Sequence, residues 1–178
     1  MAGVAVVGYD PSWPELFAAE RADLEQALVP WLSGGIHHVG STAILGLAAK
    51  PILDMIAGVR DLGEARAAIT VLSTLGYVHA PHRPGARWFY KPPGTGAAQH
   101  THHLHLTEPG SDLWRERLAF RDALRADPAL ASQYQDLKRR LAQSTSDVAT
   151  YTVGKRAFVA AVLARAGIPI RPISAREN

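Results

Sequence analysis

Apolar and polar residues recur along this chain with two different periods, which separate helices from strands. Helical spacing of Trp13, Phe17, Leu24, Leu28 and Trp31 predicts a helix that begins at a capping box, Ser12-Trp13-Pro14-Glu15, and continues to about Leu32. After a turn at Gly34-Gly35, short apolar runs predict strands over residues 36–39, 52–59, 77–80, 87–90 and 102–107. A helix is expected between Asp61 and Gly76, and a glycine-rich loop over residues 92–98.

The second half of the chain has a helical period throughout. Three apolar stripes predict three helices: Leu113, Phe120 and Leu124; Leu130, Tyr134, Leu137 and Leu141; and Tyr151, Lys155, Phe158 and Val162. Asp127-Pro128 separates the first two helices, and Asp147 can cap the third. We therefore predict an α+β fold, a mixed β-sheet flanked by helices with a helical C-terminal half. Residues 1–170 form the predicted single domain, and residues 171–178 form a tail.

Composition narrows the function classes only slightly. The 178 residues are 47% hydrophobic and include no cysteine, which excludes disulfides, thiolate metal sites and cysteine nucleophiles. No secretory signal or membrane span is visible, so a cytoplasmic protein without membrane contact is expected. Basic residues interleave with acidic ones over residues 112–140 without an aromatic ladder, which is typical of solvated helix faces and makes a nucleic-acid partner unlikely. The sequence does not decide the oligomeric state, and a homo-oligomer is compatible with it.

A turn between the first two predicted strands is the strongest chemical signal. Gly40, Ser41 and Thr42 are predicted to open a short helix, whose backbone N–H groups can bind the anionic part of a substrate. Asp54 follows about a dozen residues later on an otherwise apolar strand, where it could hold a metal ion over that anion. The alternative is structural: Ser41 caps the helix and Asp54 meets a partner inside the protein.

A run of histidines accompanies the last predicted strand. Period-two geometry places His103 and His105 on one face of this strand and His100 and His102 on the other. With Asp54 from a neighbouring strand, His103 and His105 could complete a ligand set for a divalent metal or act as catalytic bases. The alternative for the run is a polar edge strand.

Three cations and a tyrosine are further candidates for substrate binding. Lys155 interrupts an apolar helical stripe, and Tyr151 lies one turn before it. A buried lysine requires an anionic partner unless its side chain extends to the surface, so Lys155 either binds an anion or snorkels. Lys50 precedes the Asp54 strand and Arg87 opens a later one, so both could contact the same anion.

Taken together, the motifs resemble those of the GrpB family within the nucleotidyltransferase superfamily. The resemblance spans about residues 7–167 and rests on Tyr9-Asp10-Pro11 with Trp13-Pro14, His38-Val39-Gly40-Ser41-Thr42, Gly46-Leu47-Ala48-Ala49-Lys50-Pro51 with Asp54, His103-Leu104-His105, Phe120-Arg121-Asp122, and Tyr151 with Lys155. It implies the superfamily's sheet, with the Gly-Ser turn after the first strand and a metal-binding acid on the second. The superfamily usually has Asp-x-Asp there for two magnesium ions, whereas Ile56 occupies the second position in this chain.

Three functions are compatible with these features. The first is a nucleotidyltransferase-like enzyme that acts on a nucleotide or another small anionic metabolite, with Asp54, His103 and His105 holding one divalent metal (Mg, Mn or Zn) or serving as catalytic groups. The second is an accessory or binding domain that kept the fold and the pocket without the full set of acids. The third, weaker interpretation is an RNA-binding module that uses the basic face over residues 115–140.

Overall fold

Five strands form a mixed sheet at the centre of the part that the structure, a computed structural model, describes (residues 5–80, 85–93 and 100–168). In chain order they are β1 (Leu32–Val39), β2 (Leu53–Val59), β3 (Val78–Ala80), β4 (Arg87–Lys91) and β5 (His102–Thr107). Across the sheet the order is β1-β2-β5-β4-β3, in which β2 and β5 run parallel and the other neighbours run antiparallel. Residues of β2 and β5 are therefore direct neighbours in the middle of the sheet.

Six α-helices surround the sheet within the same residues. They are α1 (Trp13–Leu28), α2 (Ala68–Thr74), α3 (Asp112–Ala126), α4 (Pro128–Ser144), α5 (Val148–Gly154) and α6 (Arg156–Arg165). The predicted α+β class and helical C-terminal half are confirmed. None of these helices is long and apolar enough to cross a membrane. The predicted tail, residues 171–178, and residues 94–98 of the predicted loop lie outside the described residues.

The two faces of the sheet are covered by different helices. Alternate residues of β2 and β5, such as Met55 and Leu104, pack in the main core against Leu24 of α1. Successive residues of a strand point to opposite faces, so Asp54 and His103 lie on the other face. That face is partly covered by α3. The strand alternation therefore separates the core from the polar residues that the sequence singled out.

The first helix and the first strand differ from the prediction. The helix α1 ends at Leu28 rather than near Leu32, and β1 already begins at Leu32. Gly34 and Gly35 both have a φ of 80°, and the register of β1 on β2 shifts between Leu32 and Ile36. The glycines therefore form an irregularity within β1, similar to a bulge, instead of a turn before the strand.

Two predicted helix boundaries also need correction. The Ser12 side chain makes no capping hydrogen bond, and its backbone N–H instead donates to the Asp10 carboxylate at 2.9 Å. The helix predicted between Asp61 and Gly76 begins as a 3-10 helix, Glu64–Ala67, which continues into α2. Asp61 does act at its start, where the carboxylate accepts the Glu64 N–H at 2.8 Å.

The predicted third C-terminal helix is two helices that meet at Lys155. The helix α5 ends at Gly154, and α6 begins at Arg156. A Cβ atom on Gly154 would lie 2.5 Å from Cδ2 of Leu141 in α4, so a larger residue here would force the Leu141 side chain to move. The break moves Lys155 from an uninterrupted apolar stripe to a helix junction.

Candidate functional site

Asp54 and His103 form a hydrogen-bonded pair on the face of the sheet that α3 covers. The two residues are register partners in the parallel pair β2–β5. Nδ1 of His103 lies 3.0 Å from Oδ1 of Asp54, and the side chains are 31% exposed for Asp54 and 22% for His103. The structure thus brings together two of the predicted site residues at a place that solvent reaches.

The surroundings of Asp54 stabilise its ionised form. Burial alone would raise the pKa of this carboxyl, but the hydrogen bond and charge of His103, with the charges of Arg117 and His105, lower it to about 2. Because a carboxylate can only accept, Nδ1 of His103 donates to it. Nε2 of His103 lies within hydrogen-bond distance of Nδ1 of His100, at 3.2 Å.

His100 belongs to this group, and its predicted position on the opposite face is wrong. The strand β5 begins only at His102, so the period-two argument does not extend back to His100. The His100 ring stacks on Tyr90 of β4, with ring centroids 4.1 Å apart. Of the two histidines predicted on the opposite face, only His102 lies there, and its Nε2 is 3.6 Å from a Glu20 carboxylate oxygen.

His105 shares the face of Asp54 but stands deeper along the strand. Its register partner is Ile56, two residues or about 7 Å beyond Asp54, and only 5% of His105 is exposed. Among the described residues, no group of three or more histidine, aspartate or glutamate side chains is arranged to hold a metal ion. The predicted three-ligand set of Asp54, His103 and His105 is therefore not assembled.

Gly40 brings the end of β1 directly against Asp54. Its φ is 70°, and a Cβ atom there would lie 2.5 Å from Oδ2 of Asp54. The short helix predicted after this turn is a 3-10 helix of three residues, Ser41–Ala43. So short an element builds up little dipole, and the expected contribution of a helix dipole to anion binding has to be discounted.

The hydroxyl groups of Ser41 and Thr42 both have partners within the protein. Thr42 is 2% exposed and donates to the carbonyl of Ile52 at 3.0 Å. Having used its only proton, this hydroxyl accepts from Nε2 of His38 at 2.9 Å. The hydroxyl of Ser41 is hydrogen-bonded with Tyr134 of α4. Thr42 therefore fixes the turn instead of facing a substrate, whereas half-buried Ser41 stays at the edge of the site.

Two lysines share one aromatic ring beside Asp54. Nζ of Lys155 lies 4.4 Å, and Nζ of Lys50 5.3 Å, from the ring centroid of Tyr151. Tyr151 is 1% exposed, so its ring is a fixed part of the structure. In the part of the chain that the structure describes, neither ammonium group has an acidic ion-pair partner within 4.0 Å. We call Lys50, Tyr151 and Lys155 the lysine clamp.

Burial acts on the pKa of both lysines of the clamp, and repulsion by Lys50 acts on that of Lys155 as well. Burial lowers the pKa of Lys155 to about 8, with further lowering by the charges of Lys50 and Arg117 and opposition from Asp54. Burial also lowers the pKa of Lys50, again opposed by Asp54. The clamp is thus a positively charged place whose nearest negative charge is already engaged by His103.

Arg87 is not part of this group. It pairs with Leu106 at the end of β4 opposite to Tyr90, which pairs with His103. Its guanidinium donates to the carbonyl of Leu62 at 3.0 Å. Of the predicted anion contacts, the structure therefore assembles the lysine clamp and leaves Arg87 elsewhere.

Three basic residues of α3 and α4 hold the connection between β1 and β2, whereas the other basic residues of these two helices are exposed, as predicted. Arg121 donates to the carbonyl of His38, and Arg125 makes two bonds, of 3.0 and 2.9 Å, to that of Ala43. Lys138 is 2% exposed and donates to the carbonyl of Ala48. Sequence reasoning missed these contacts because backbone acceptors leave no trace in a side-chain pattern.

Comparisons with known proteins cover nearly the whole chain. Residues 3–165 match the family model described as GrpB protein. A UPF0157 protein of Deinococcus radiodurans is 37% identical over 165 residues, which span 92% of this chain and 83% of that protein. The crystal structure of the conserved protein GrpB from Enterococcus faecalis superposes with a TM-score of 0.82 at 31% identity, over 91% of this chain and 96% of that one.

A more distant likeness concerns the fold alone. The Cid1 poly(U) polymerase superposes with a TM-score of 0.55 at 12% sequence identity, over 84% of this chain and 49% of that one. The fold is therefore nucleotidyltransferase-like, as the sequence motifs implied. A shared fold does not transfer an activity, so the function has to be argued from the site itself.

Proposed function

Because the chain belongs to the GrpB family and has a nucleotidyltransferase-like fold, we propose that it binds a small phosphate-bearing metabolite, such as a nucleotide, at the lysine clamp. One observation carries this proposal. The ammonium groups of Lys50 and Lys155 lie over the same ring, and no acidic side chain of the described residues forms an ion pair with either within 4.0 Å. Two neighbouring, partly buried cations favour an anion that can bind both.

The chemistry of the surrounding groups supports a phosphate in this role. A third positive charge, that of Arg117, acts on both Asp54 and Lys155. A phosphate ester carries about two negative charges near neutral pH, which suits several cations better than a single carboxylate does. Half-buried Ser41 stands at the edge of the same site.

Calorimetric titration with pyrophosphate tests the proposal. The Lys155→Met variant keeps the apolar length of the side chain and removes its charge. We expect the binding free energy to weaken by about 1.5–3 kcal/mol, the strength of a charge-assisted contact. Arg66→Met is the matched control, because Arg66 is exposed in the 3-10 helix that follows the far end of β2. Its affinity should equal that of the wild type.

Two results would contradict the proposal. In the first, Lys155→Met and Arg66→Met change the affinity for pyrophosphate equally, and Lys155 is then a snorkelling surface residue. The other is a wild-type protein that binds none of pyrophosphate, a nucleoside monophosphate and a nucleoside triphosphate. Folding of each variant is checked first by its thermal unfolding midpoint.

Catalysis is a second candidate function, and the hydrogen-bonded pair of Asp54 and His103 favours it. A carboxylate that orients an imidazole is a common arrangement for a general base, here next to the proposed phosphate site. The simplest reaction would be hydrolysis: the base takes a proton from water, the water oxygen bonds to phosphorus, and the bridging P–O bond breaks so that phosphate or pyrophosphate leaves with its bonding electrons. Phosphate or pyrophosphate release from each nucleoside triphosphate tests this. His103→Gln should abolish this release and retain nucleotide binding. If the wild type releases neither product, catalysis is excluded and the accessory, binding role is left.

A further inference from the structure

The donor atoms around Asp54 do not fit the pair of metal ions that a nucleotidyltransferase-like fold implies. Two carboxylates on β2 would be needed, but the second position is Ile56, which is 0% exposed and packs with Val39 and Leu113. The facing positions on β5 are His103 and His105. Oxygen ligands are what magnesium prefers, and among the described residues β2 supplies one carboxylate for a pair of ions that would share two.

One oxygen of this single carboxylate is hydrogen-bonded, and the other faces the backbone of Gly40. Oδ1 of Asp54 accepts from Nδ1 of His103 at 3.0 Å. Oδ2 lies so close to Gly40 that a Cβ atom on that residue would be 2.5 Å away. A magnesium ion requires a nearly octahedral shell of about six oxygens. A hydrated ion on Oδ1 would have to displace His103, and one on Oδ2 would have to fit beside the closely packed backbone of Gly40.

The charges near Asp54 disfavour a second cation as well. The charge of Lys50 acts on Lys155, and that of Arg117 acts on both Lys155 and Asp54. A divalent ion placed beside Asp54 would be repelled by all three side chains. The same three charges attract a phosphate group directly, without a bridging metal.

We infer that this site takes its phosphate-bearing ligand free of magnesium, with Lys50 and Lys155 in place of the metal ions. The inference deepens the proposed function and rests on it for the ligand. It narrows the substrate class to uncomplexed phosphate esters, of which monophosphates are the simplest, because nucleoside triphosphates are largely magnesium complexes in cells. The lack of a metal site does not depend on the proposed function, because it follows from the donor atoms around Asp54 alone.

The inference is tested by whether Mg²⁺ raises or lowers the affinity of the protein for pyrophosphate. Pyrophosphate is titrated into the wild-type protein by calorimetry, once with EDTA and once with excess Mg²⁺. Because magnesium lowers the charge of pyrophosphate and adds a cation to a positive site, we expect affinity to fall by about fivefold or more in Mg²⁺. Methylene diphosphonate titrated in EDTA is a control for binding without hydrolysis. An affinity that rises in Mg²⁺ overturns the inference.

A titration with the metal alone separates this inference from the proposed function. Free Mn²⁺ is followed by its electron paramagnetic resonance signal as wild-type protein or Asp54→Asn is added. We expect both proteins to leave the signal equally unchanged. One equivalent of Mn²⁺ bound by the wild type and lost in Asp54→Asn overturns the inference. If pyrophosphate binds under neither condition, the proposed function fails, and the Mn²⁺ titration still decides whether a metal site exists.

Discussion

Two carboxylates lie on opposite faces of the same sheet, and their surroundings differ in charge balance. Glu20 of α1 is 9% exposed and accepts from the Tyr77 hydroxyl at 2.9 Å and from Nζ of Lys91 at 2.8 Å. Nε2 of His102 is 3.6 Å from the same carboxylate. We call these four residues the Glu20 cluster. Burial and the Glu20 charge raise the pKa of Tyr77, so its phenol stays a donor.

Asp54 shows the opposite balance. Its carboxylate is engaged by His103, while Lys50, Lys155 and Arg117 add three positive charges nearby. A buried carboxylate whose donors match its lone pairs is explained by stability, since each group satisfies another. A carboxylate among excess cations, in a place that solvent reaches, leaves charge for a ligand to neutralise. The contrast indicates a structural role for the Glu20 cluster and supports the binding role that we propose for the lysine clamp.

The largest expected effect is on stability, from Glu20→Gln. The amide would leave Lys91 without its counter-charge and would present donors to other donors, so we expect unfolding free energy to fall by about 3 kcal/mol. Urea denaturation measures this. Glu25→Gln is the matched control, because its ion pair with Arg21 lies on the surface with side chains 39% and 50% exposed. It should change stability by less than about 0.5 kcal/mol; equal effects would refute the contrast.

His38 is a third buried ionisable group to compare with Glu20 and Asp54, and its imidazole stays neutral. Burial lowers its pKa to about 4, with further lowering by Arg125 and Arg121 and opposition from Asp54. The unfolded chain binds a proton on His38 more readily than the folded chain does. The contribution of neutral His38 to stability is therefore fully present above pH 6.5 and is lost as pH falls towards 4. The loss should be about 2–3 kcal/mol. Urea denaturation at several pH values should show this slope in the wild type and a flatter one in His38→Gln; identical slopes would contradict it.

Much of the fold follows from sequence periods, and the errors have physical causes. The strands β4 and β5 and the helices α3 and α4 were predicted because each presents one apolar side to a core. The Gly34-Gly35 pair was interpreted as a turn, since a glycine pair does not reveal whether the chain turns or bulges. Lys155 was placed inside one helix because the packing of Gly154 against Leu141 is a tertiary contact.

The candidate site was predictable where chemistry alone singled out a residue. A charged residue in an apolar pattern identified Asp54 and Lys155, and the same signal in the stripe of α1 was overlooked for Glu20. His100 was misplaced because strand alternation applies only within a strand. The role of Lys138 depends on a backbone carbonyl, which no side-chain pattern shows.

A pair of glycines tests how closely the binding site is built around Asp54. Gly40 and Gly46 have φ values of 70° and 75°, but only at Gly40 would a Cβ atom meet another group, Oδ2 of Asp54 at 2.5 Å. Both alanine variants incur the cost of a positive φ, about 1 kcal/mol, and Gly40→Ala incurs a larger backbone cost because a ψ of −170° places Gly40 in a region that is essentially restricted to glycine. Gly40→Ala should cost about 1–2 kcal/mol more in urea denaturation and should also weaken pyrophosphate binding. Equal costs would show that Asp54 moves aside freely.

The smallest stability effect is expected from Lys50→Met, although this change affects the binding site directly. The substitution removes a charge that repels Lys155 and keeps the apolar part of the side chain over Tyr151. The unfolding free energy should therefore stay within about 0.5 kcal/mol of the wild type, because a lost interaction with Asp54 is offset by reduced repulsion. Pyrophosphate affinity should nevertheless fall. Thermal unfolding and calorimetry of the same sample measure both quantities. A loss of stability as large as that of Glu20→Gln would mean that Lys50 is a structural cation, and the distinction between the Glu20 cluster and the lysine clamp would fail.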